Sequence, residues 1–310
     1  MLIVKKIEYF KILILCFLLL FLGCDKTPEY KKVRLKPVDS TDLLNKDYKN
    51  NTIKLAIASV VSPKASLILY ADLIEYLRKK MEVNIQLVQK NTYGEVNELL
   101  RNSECDVAFI CTGAYIRANV DFTLDILAVP VVEGEPYYYS YIIVEKNSEL
   151  TNLNDLKNKS FAFCDPLSLT GYFYVKYCLF KSGWTPDNFF SKFIFTGSHD
   201  NSIKSVAEKI TDAACVDSIV YDILIKQKDI CALKTKIINK SPSFGIPPVV
   251  TGSKINHEIK KKLQDAFLNM NKDEEGKKIL NKIFVEKFII PDSKIYNSAK
   301  TILEEIGAIQ

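Results

Sequence analysis

From residue 52 onward the chain switches between two hydrophobic periods. Ile53, Leu55 and Ile57 alternate with polar neighbours, as a half-buried strand requires. Leu67, Tyr70, Leu73, Ile74 and Leu77 then recur at the spacing of one helix face, and Val83, Ile85 and Leu87 restore the alternation. The pattern is that of a β-α-β unit. Thr92-Tyr93-Gly94-Glu95 has the form of a capping box and predicts a helix carrying Val96, Leu99 and Leu100, with a strand at 106–110. Strands alternating with helices build a parallel sheet.

The β-rich run 137–144 follows Gly134-Glu135-Pro136 and marks the crossing into a second lobe, where the alternation restarts. Strands are expected at 161–164, 193–195 and 213–216, with helices at 172–180 and 202–209. After Gly245-Ile246-Pro247-Pro248 the segment 256–307 reads as helical and is expected to return over the first lobe. The fold class is therefore α/β. Its lobes are 52–135, 136–248 and the returning 249–310, and the two crossings make a hinge.

The first 51 residues have a different character. Lys5, Lys6 and Lys11 precede an apolar run at 12–22 that stops at Gly23-Cys24, the order of an export signal. The run is about half of the roughly 20 residues a spanning helix needs. Phe21-Leu22-Gly23-Cys24 resembles the bacterial lipobox, which implies cleavage after residue 23 and a lipid on Cys24 that anchors the chain to the outer face of a membrane. Residues 24–51, polar and holding Pro28 and Pro37, read as a tether.

Length supports two lobes, because a 310-residue chain, even without its first 23 residues, is near the size at which one core divides. The formal net charge of +5 is small and dispersed. No basic run interleaved with aromatics is present, so nucleic acid is not expected as a partner, and Lys260-Lys261-Lys262 fits a solvated helix face. Of eight cysteines, Cys16 leaves with the signal segment and Cys24 carries lipid, which leaves Cys105, Cys111, Cys164, Cys178, Cys215 and Cys231 in the fold. Their spacings match no zinc pattern, and neither a metal nor a cofactor is expected. Buried free thiols are the expected state, although an oxidising compartment leaves pairing open.

In open α/β sheets ligands bind beyond the carboxyl ends of strands, so the strand-to-helix loops hold the candidate chemistry. Asp165-Pro166-Leu167-Ser168-Leu169-Thr170-Gly171 offers two hydroxyl donors, a glycine that lets the backbone come close, and a helix N-terminus with unpaired N–H groups. Together they suit an anion, and plain helix capping by Ser168 or Thr170 is the alternative. A second such loop, 196–202, holds His199, one of only two histidines. His257 lies on the lysine-rich helix and reads as solvated.

The pairing of Asp165-Pro166-x-Ser168-x-Thr170-Gly171 with Gly197-Ser198-His199-Asp200 resembles the signature of phosphonate, phosphite and phosphate binding proteins of ABC importers. Tyr93 with Leu99 and Leu100, 106–109 with Tyr115, 136–140, 155–160, Asp217 and 246–249 resemble that family in the same order, over roughly residues 52–290. The resemblance implies the periplasmic-binding-protein fold, with a ligand cleft between two α/β lobes. It implies capture of a small phosphorus oxyanion by a monomer that serves an ABC permease with its ATPase, without catalysis. Carried over residue by residue, Ser168, Thr170, Gly171 and His199 bind from the second lobe and Tyr93 from the first. Tyr138 is a further candidate, although strand alternation sends Tyr137, Tyr138 and Tyr139 to opposite faces in turn. Asp217 matches the acid that accepts from a protonated oxygen or an amino group on the ligand, or else caps the helix after it. Ser62 or Thr112 would complete the shell on closure. Leu169, Val175 and Cys111-Thr112-Gly113 depart from the family pattern. A sensor subunit of the same fold, a binder of a sulfonate or carboxylate, and an enzyme with Cys164 or Cys111 as nucleophile and His199 as base are the alternatives.

Overall fold

The structure, a computed structural model, describes residues 52–309. The signal segment, the tether and Cys24 lie outside the described residues. No helix among the described residues is long and apolar enough to cross a membrane.

The chain begins with β1 (Thr52–Ile57), α1 (Pro63–Met81), β2 (Asn84–Gln89), α2 (Tyr93–Arg101), β3 (Val107–Phe109), α3 (Thr112–Asp121) and β4 (Leu124–Val131). β1 lies between β2 and β3, parallel to both. Ile53, Leu55 and Ile57 face the core while Lys54 is exposed, as the alternation predicts. The capping box at α2 is formed: the Glu95 N–H donates to Thr92 Oγ1 at 3.2 Å and the Thr92 N–H to Glu95 Oε2 at 2.9 Å. β4 has no alternation to reveal it, because four of its last five residues are buried in an unbroken apolar run.

Two crossings connect the lobes. The run 137–144 divides at Tyr139 into β5 (Tyr137–Tyr138) and β6 (Ser140–Glu145). The second lobe continues with β7 (Ser160–Phe163), a π-turn at Leu169–Phe173, α4 (Tyr174–Lys181), α5 (Pro186–Phe189), β8 (Lys192–Phe195), α6 (His199–Ala207), β9 (Ala213–Asp217), α7 (Ser218–Lys226) and β10 (Thr235–Lys240). Its sheet runs β10-β6-β9-β7-β8, with β7 parallel to β8 and β9. β11 (Phe244–Gly245) returns antiparallel to β5, so the two crossings pair with each other as a short ribbon.

β12 (Val249–Gly252) enters the first sheet between β3 and β4. α8 (His257–Asn269) and α9 (Glu274–Lys282) follow, and β13 (Lys287–Ile289) then closes that sheet's edge against β4. The expectation of a helical segment through 256–307 is corrected here, since the three residues of β13, between α9 and the last helix, are too few to show a period of their own. The last helix, α10 (Asn297–Glu305), packs Ala299, Ile302 and Leu303 into a core shared with Ile116 of α3 and with Val175 and Leu179 of α4. It braces both lobes beside the ribbon, where the Tyr296 hydroxyl donates to the Ile246 carbonyl at 2.9 Å.

Candidate functional site

The loops that leave β1, β2 and β3 in the first lobe meet those that leave β7, β8 and β9 in the second. Three backbone N–H groups tie the two sets together. That of His199 donates to the Val60 carbonyl at 3.0 Å, that of Tyr93 to Asp165 Oδ2 at 3.1 Å and that of Ser62 to Asp200 Oδ1 at 3.0 Å. The lobes are closed on one another, and what lies between them is buried.

Ser168, Thr170 and Gly171 stand in the loop after β7. Ser168 is fully buried; its Oγ accepts the Gly171 N–H at 3.0 Å and faces the Cys111 thiol at 4.0 Å. Both contacts use the oxygen as acceptor, so the hydroxyl proton remains for another group. Capping and ligand donation are thus compatible in one side chain. The Gly171 N–H, by contrast, is committed to Ser168, and the glycine matters through its missing side chain. A Cβ there would lie 2.5 Å from Cys164 Cβ and 2.9 Å from both His199 Cε1 and Ser168 Oγ. Thr170 is fully buried, and its hydroxyl has no hydrogen-bond partner. Leu169 fills core space instead of offering a hydroxyl.

His199 opens α6 at 1% exposure. Its Nδ1 accepts the Asp217 N–H at 3.1 Å, which assigns the proton to Nε2 and makes that nitrogen the donor side of the ring. Burial pushes its pKa down to about 3, so the imidazole is neutral. Asp217, at the end of β9, caps α7 by accepting the Ile219 and Val220 N–H groups on Oδ1 at 2.7 and 3.4 Å. Burial pushes its carboxyl up to about 7 despite these bonds.

From the first lobe, Tyr93 brings its hydroxyl to 3.5 Å from the Cys164 sulfur. Tyr138, on the ribbon, is 1% exposed; its hydroxyl makes no well-aligned hydrogen bond although Thr112 and Cys111 lie beside it, and burial first, then the neighbouring Cys111 and Asp217, raise its pKa. Thr112 is fully buried, but its hydroxyl donates to the Gly245 carbonyl at 2.8 Å, so its proton is committed to the hinge. Ser62 is half-buried at the rim, where its side chain makes no cap for α1.

All six cysteines among the described residues are unpaired. Burial raises the pKa of Cys111 and, further, of Cys164, which keeps both as thiols, the opposite of what an activated nucleophile needs. Among the described residues no cluster of His, Cys, Asp and Glu could hold a metal. Sequence reasoning underrated two residues. Asp165 clasps Tyr93 and Asp200 clasps Ser62, and their place inside both signature loops was the available signal.

A two-lobed α/β protein with a buried, uncharged set of donors at facing sheet ends has the architecture of a solute-binding protein. Residues 55–296 match the family described as ABC transporter, phosphonate, periplasmic substrate-binding protein, and the chain belongs to that family. The phosphonates-binding periplasmic protein of Escherichia coli is 27% identical over 222 residues, which are 69% of this chain and 64% of that protein. The phosphate-import protein PhnD of Mycolicibacterium smegmatis is 27% identical over 209 residues, 64% of this chain and 65% of that protein. The chain thus spans a little under two thirds of the length of each relative. Among solved structures, a binding protein component of an ABC phosphonate transporter from Pseudomonas aeruginosa superposes with a TM-score of 0.77 at 24% identity, covering 83% of this chain and 86% of its own. PhnD1 from Prochlorococcus marinus, in complex with methylphosphonate, gives 0.75 at 20% identity, covering 83% and 99%. These likenesses show the periplasmic-binding-protein fold.

Proposed function

We propose that the protein is the extracytoplasmic solute-binding component of an ABC importer, capturing a small phosphorus oxyanion (phosphonate, phosphite or phosphate) between its lobes as a monomer and delivering it to a permease with its ATPase. The observation that carries this reading is a pair of buried hydroxyls, Thr170 Oγ1 and Tyr138 Oη, that have no hydrogen-bond partner. Buried polar groups are nearly always satisfied, and of four unpartnered buried atoms among the described residues these two, unlike Asn97 Oδ1 and Thr251 Oγ1, stand on the second-lobe loop and the hinge, which supports an acceptor arriving there. With Ser168, the Nε2–H of His199 and Tyr93 they make a shell of neutral donors. Hydrogen bonds to a charged group contribute about 1.5–3 kcal/mol each, so four or five could outweigh the cost of association and reach about −8 kcal/mol, micromolar binding. The names of the relatives and the methylphosphonate in the Prochlorococcus marinus complex support the choice of anion.

A calorimetric panel of phosphate, phosphite, methylphosphonate, 2-aminoethylphosphonate, sulfate and an alkylsulfonate tests it. At least one phosphorus anion should bind and raise the melting temperature, since a ligand stabilises the state that binds it. Silence toward all of them refutes the reading. Export and lipid attachment at Cys24 belong to the same proposal and rest on the 21–24 motif. A Cys24→Ala variant should move from the membrane to the soluble fraction.

A further inference from the structure

Beside the anion site lies a cavity of about 380 Å³ that the captured group itself would not fill. Tyr70, Phe109, Ile110 and Phe288 line it from the first lobe, Val220 and Ile223 from the second. Its aromatic wall is continuous, with Tyr70 and Phe109 rings 5.4 Å apart and Phe109 and Phe288 rings 6.5 Å apart. Ile68, also on its lining, is 74% exposed, so one end reaches the surface.

At the other end its walls are the residues that hold the donors, although no donor itself lines it. Asp217 lines the cavity and also gives its N–H to His199. Val60, another lining residue, accepts the His199 backbone N–H, and Ile110 and Ile246 are chain neighbours of Cys111 and of the Gly245 that holds Thr112. Cavity and anion site therefore share walls on three loops and the hinge.

Its chemistry is one-sided. Asp217, Tyr70 and Gln227 supply the only polar side chains of the lining, and Asp217 is the only acid. An ammonium group entering here would find a single carboxylate, with Oδ1 committed to two backbone N–H groups and only Oδ2 left to accept, and everywhere else would lose its hydration against hydrocarbon. An alkyl chain or phenyl ring would lose nothing. The volume falls in the range that holds a small organic molecule, well beyond a methyl group.

We propose that this cavity receives the carbon substituent of the ligand, so that the protein's preferred substrates are phosphonates bearing an apolar alkyl or aryl group. The inference rests on the phosphonate-binding reading above. Calorimetric titration of wild-type protein with methyl-, n-butyl-, phenyl- and 2-aminoethylphosphonate tests it. Burying one methylene should tighten binding about fourfold, so butylphosphonate should bind about 60-fold tighter than methylphosphonate. Butylphosphonate and methylphosphonate should also displace one another, because they share the anion site. Ile223→Trp, which fills the cavity, should bring the butyl and phenyl ligands back toward the methyl value and leave methylphosphonate unchanged, which also reports that the variant folds. Methylphosphonate binding as tightly as butylphosphonate, or 2-aminoethylphosphonate binding more tightly than it, overturns the inference while the functional reading stands. Failure of every phosphonate, methyl included, overturns the inference, and it overturns the functional reading as well only when phosphate and phosphite are silent too.

Discussion

Replacing Thr170 by valine should move stability and binding in opposite directions. The side chain is fully buried and its hydroxyl is unpartnered, while the residue's carbonyl accepts the Ser140 hydroxyl at 2.6 Å and is untouched by the change. Valine keeps the branched shape and exchanges the hydroxyl for a methyl group. In the ligand-free protein an unsatisfied buried hydroxyl costs about 1–3 kcal/mol, so the variant should be more stable by about that amount. For a domain this large, that is a rise of about 2–4 °C in melting temperature per kcal/mol. With an anion bound the same hydroxyl donates to a charged oxygen, and its loss should weaken binding by about 1.5–3 kcal/mol, roughly 10- to 150-fold. Scanning calorimetry without ligand and titration with methylphosphonate measure the two halves. A variant that binds normally, or one that loses stability without ligand, would refute the reasoning, because either result makes Thr170 an ordinary packed residue.

Three further outcomes follow from the geometry. Gly113→Ala would place a Cβ 2.4 Å from the Leu167 carbonyl oxygen and 2.8 Å from the Leu169 nitrogen, both backbone atoms of the opposite lobe. It should wedge the cleft open, weaken methylphosphonate binding at least about tenfold (about 1.4 kcal/mol) and abolish ligand-induced compaction in solution scattering, with the ligand-free melting temperature nearly unchanged. Asp217, raised to about 7 by burial, is about half ionised at neutral pH, and an arriving anion should raise it further. Binding at pH 7 should therefore take up about half a proton more in wild type than in Asp217→Asn, read from titration enthalpies in buffers of different ionisation heat, and equal uptake would contradict this. The same carboxyl opposes His199 in the pH dependence of folding. His199 is held near 3 against 6.5 when unfolded, so its contribution is full above 6.5 and is lost as pH falls toward 3. Asp217 is raised from 3.8, so its contribution is full below 3.8 and is lost as pH rises through about 7. Between about pH 4 and 6.5 the two slopes cancel, and Asp217→Asn should expose a loss of about 1.4 kcal/mol per unit of acidification that wild type does not show.

What the sequence made legible are the features fixed by neighbours along the chain. β1, α1 and β2 follow from their periods, and the Thr92–Glu95 capping box needs only residues three apart. Ser168 and Thr170 could be chosen because a strand-to-helix loop already implies where hydroxyls and a helix terminus meet. The remainder depends on distant partners. Alternation does not single out Tyr138 among three consecutive tyrosines, and its burial follows from the pairing of β5 with β11, more than a hundred residues on. Thr112 suits a ligand donor by its place after β3, but the Gly245 carbonyl, 133 residues away, accepts its proton. The tautomer of His199 is set by the Asp217 N–H, at the end of β9. β4 left no alternating signature because it runs through the core, and β13 is shorter than any period that could announce it.

The closed arrangement also explains how a site without a cationic side chain can act as a latch. Three interlobe N–H bonds form on closure; the one to the Val60 carbonyl contributes about 0.5–1.5 kcal/mol and the two to the Asp165 and Asp200 carboxyl groups about 1.5–3 each, about 3.5–7.5 together. Against them, closure without ligand strands the Thr170 and Tyr138 hydroxyls at about 1–3 kcal/mol each, about 2–6 in all. The two ranges overlap, so the stranded hydroxyls offset much of what closure gains and leave the empty protein only weakly closed. An oxyanion that accepts from both hydroxyls removes the opposing sum and adds bonds to a charge, which tips the balance by several kcal/mol toward closure. Filling a positive pocket could bind the anion as tightly, but it would not make closure depend on the anion's presence. Donors that are neutral, buried and unsatisfied do, and closure that reports occupancy is what the proposed delivery to a permease would require.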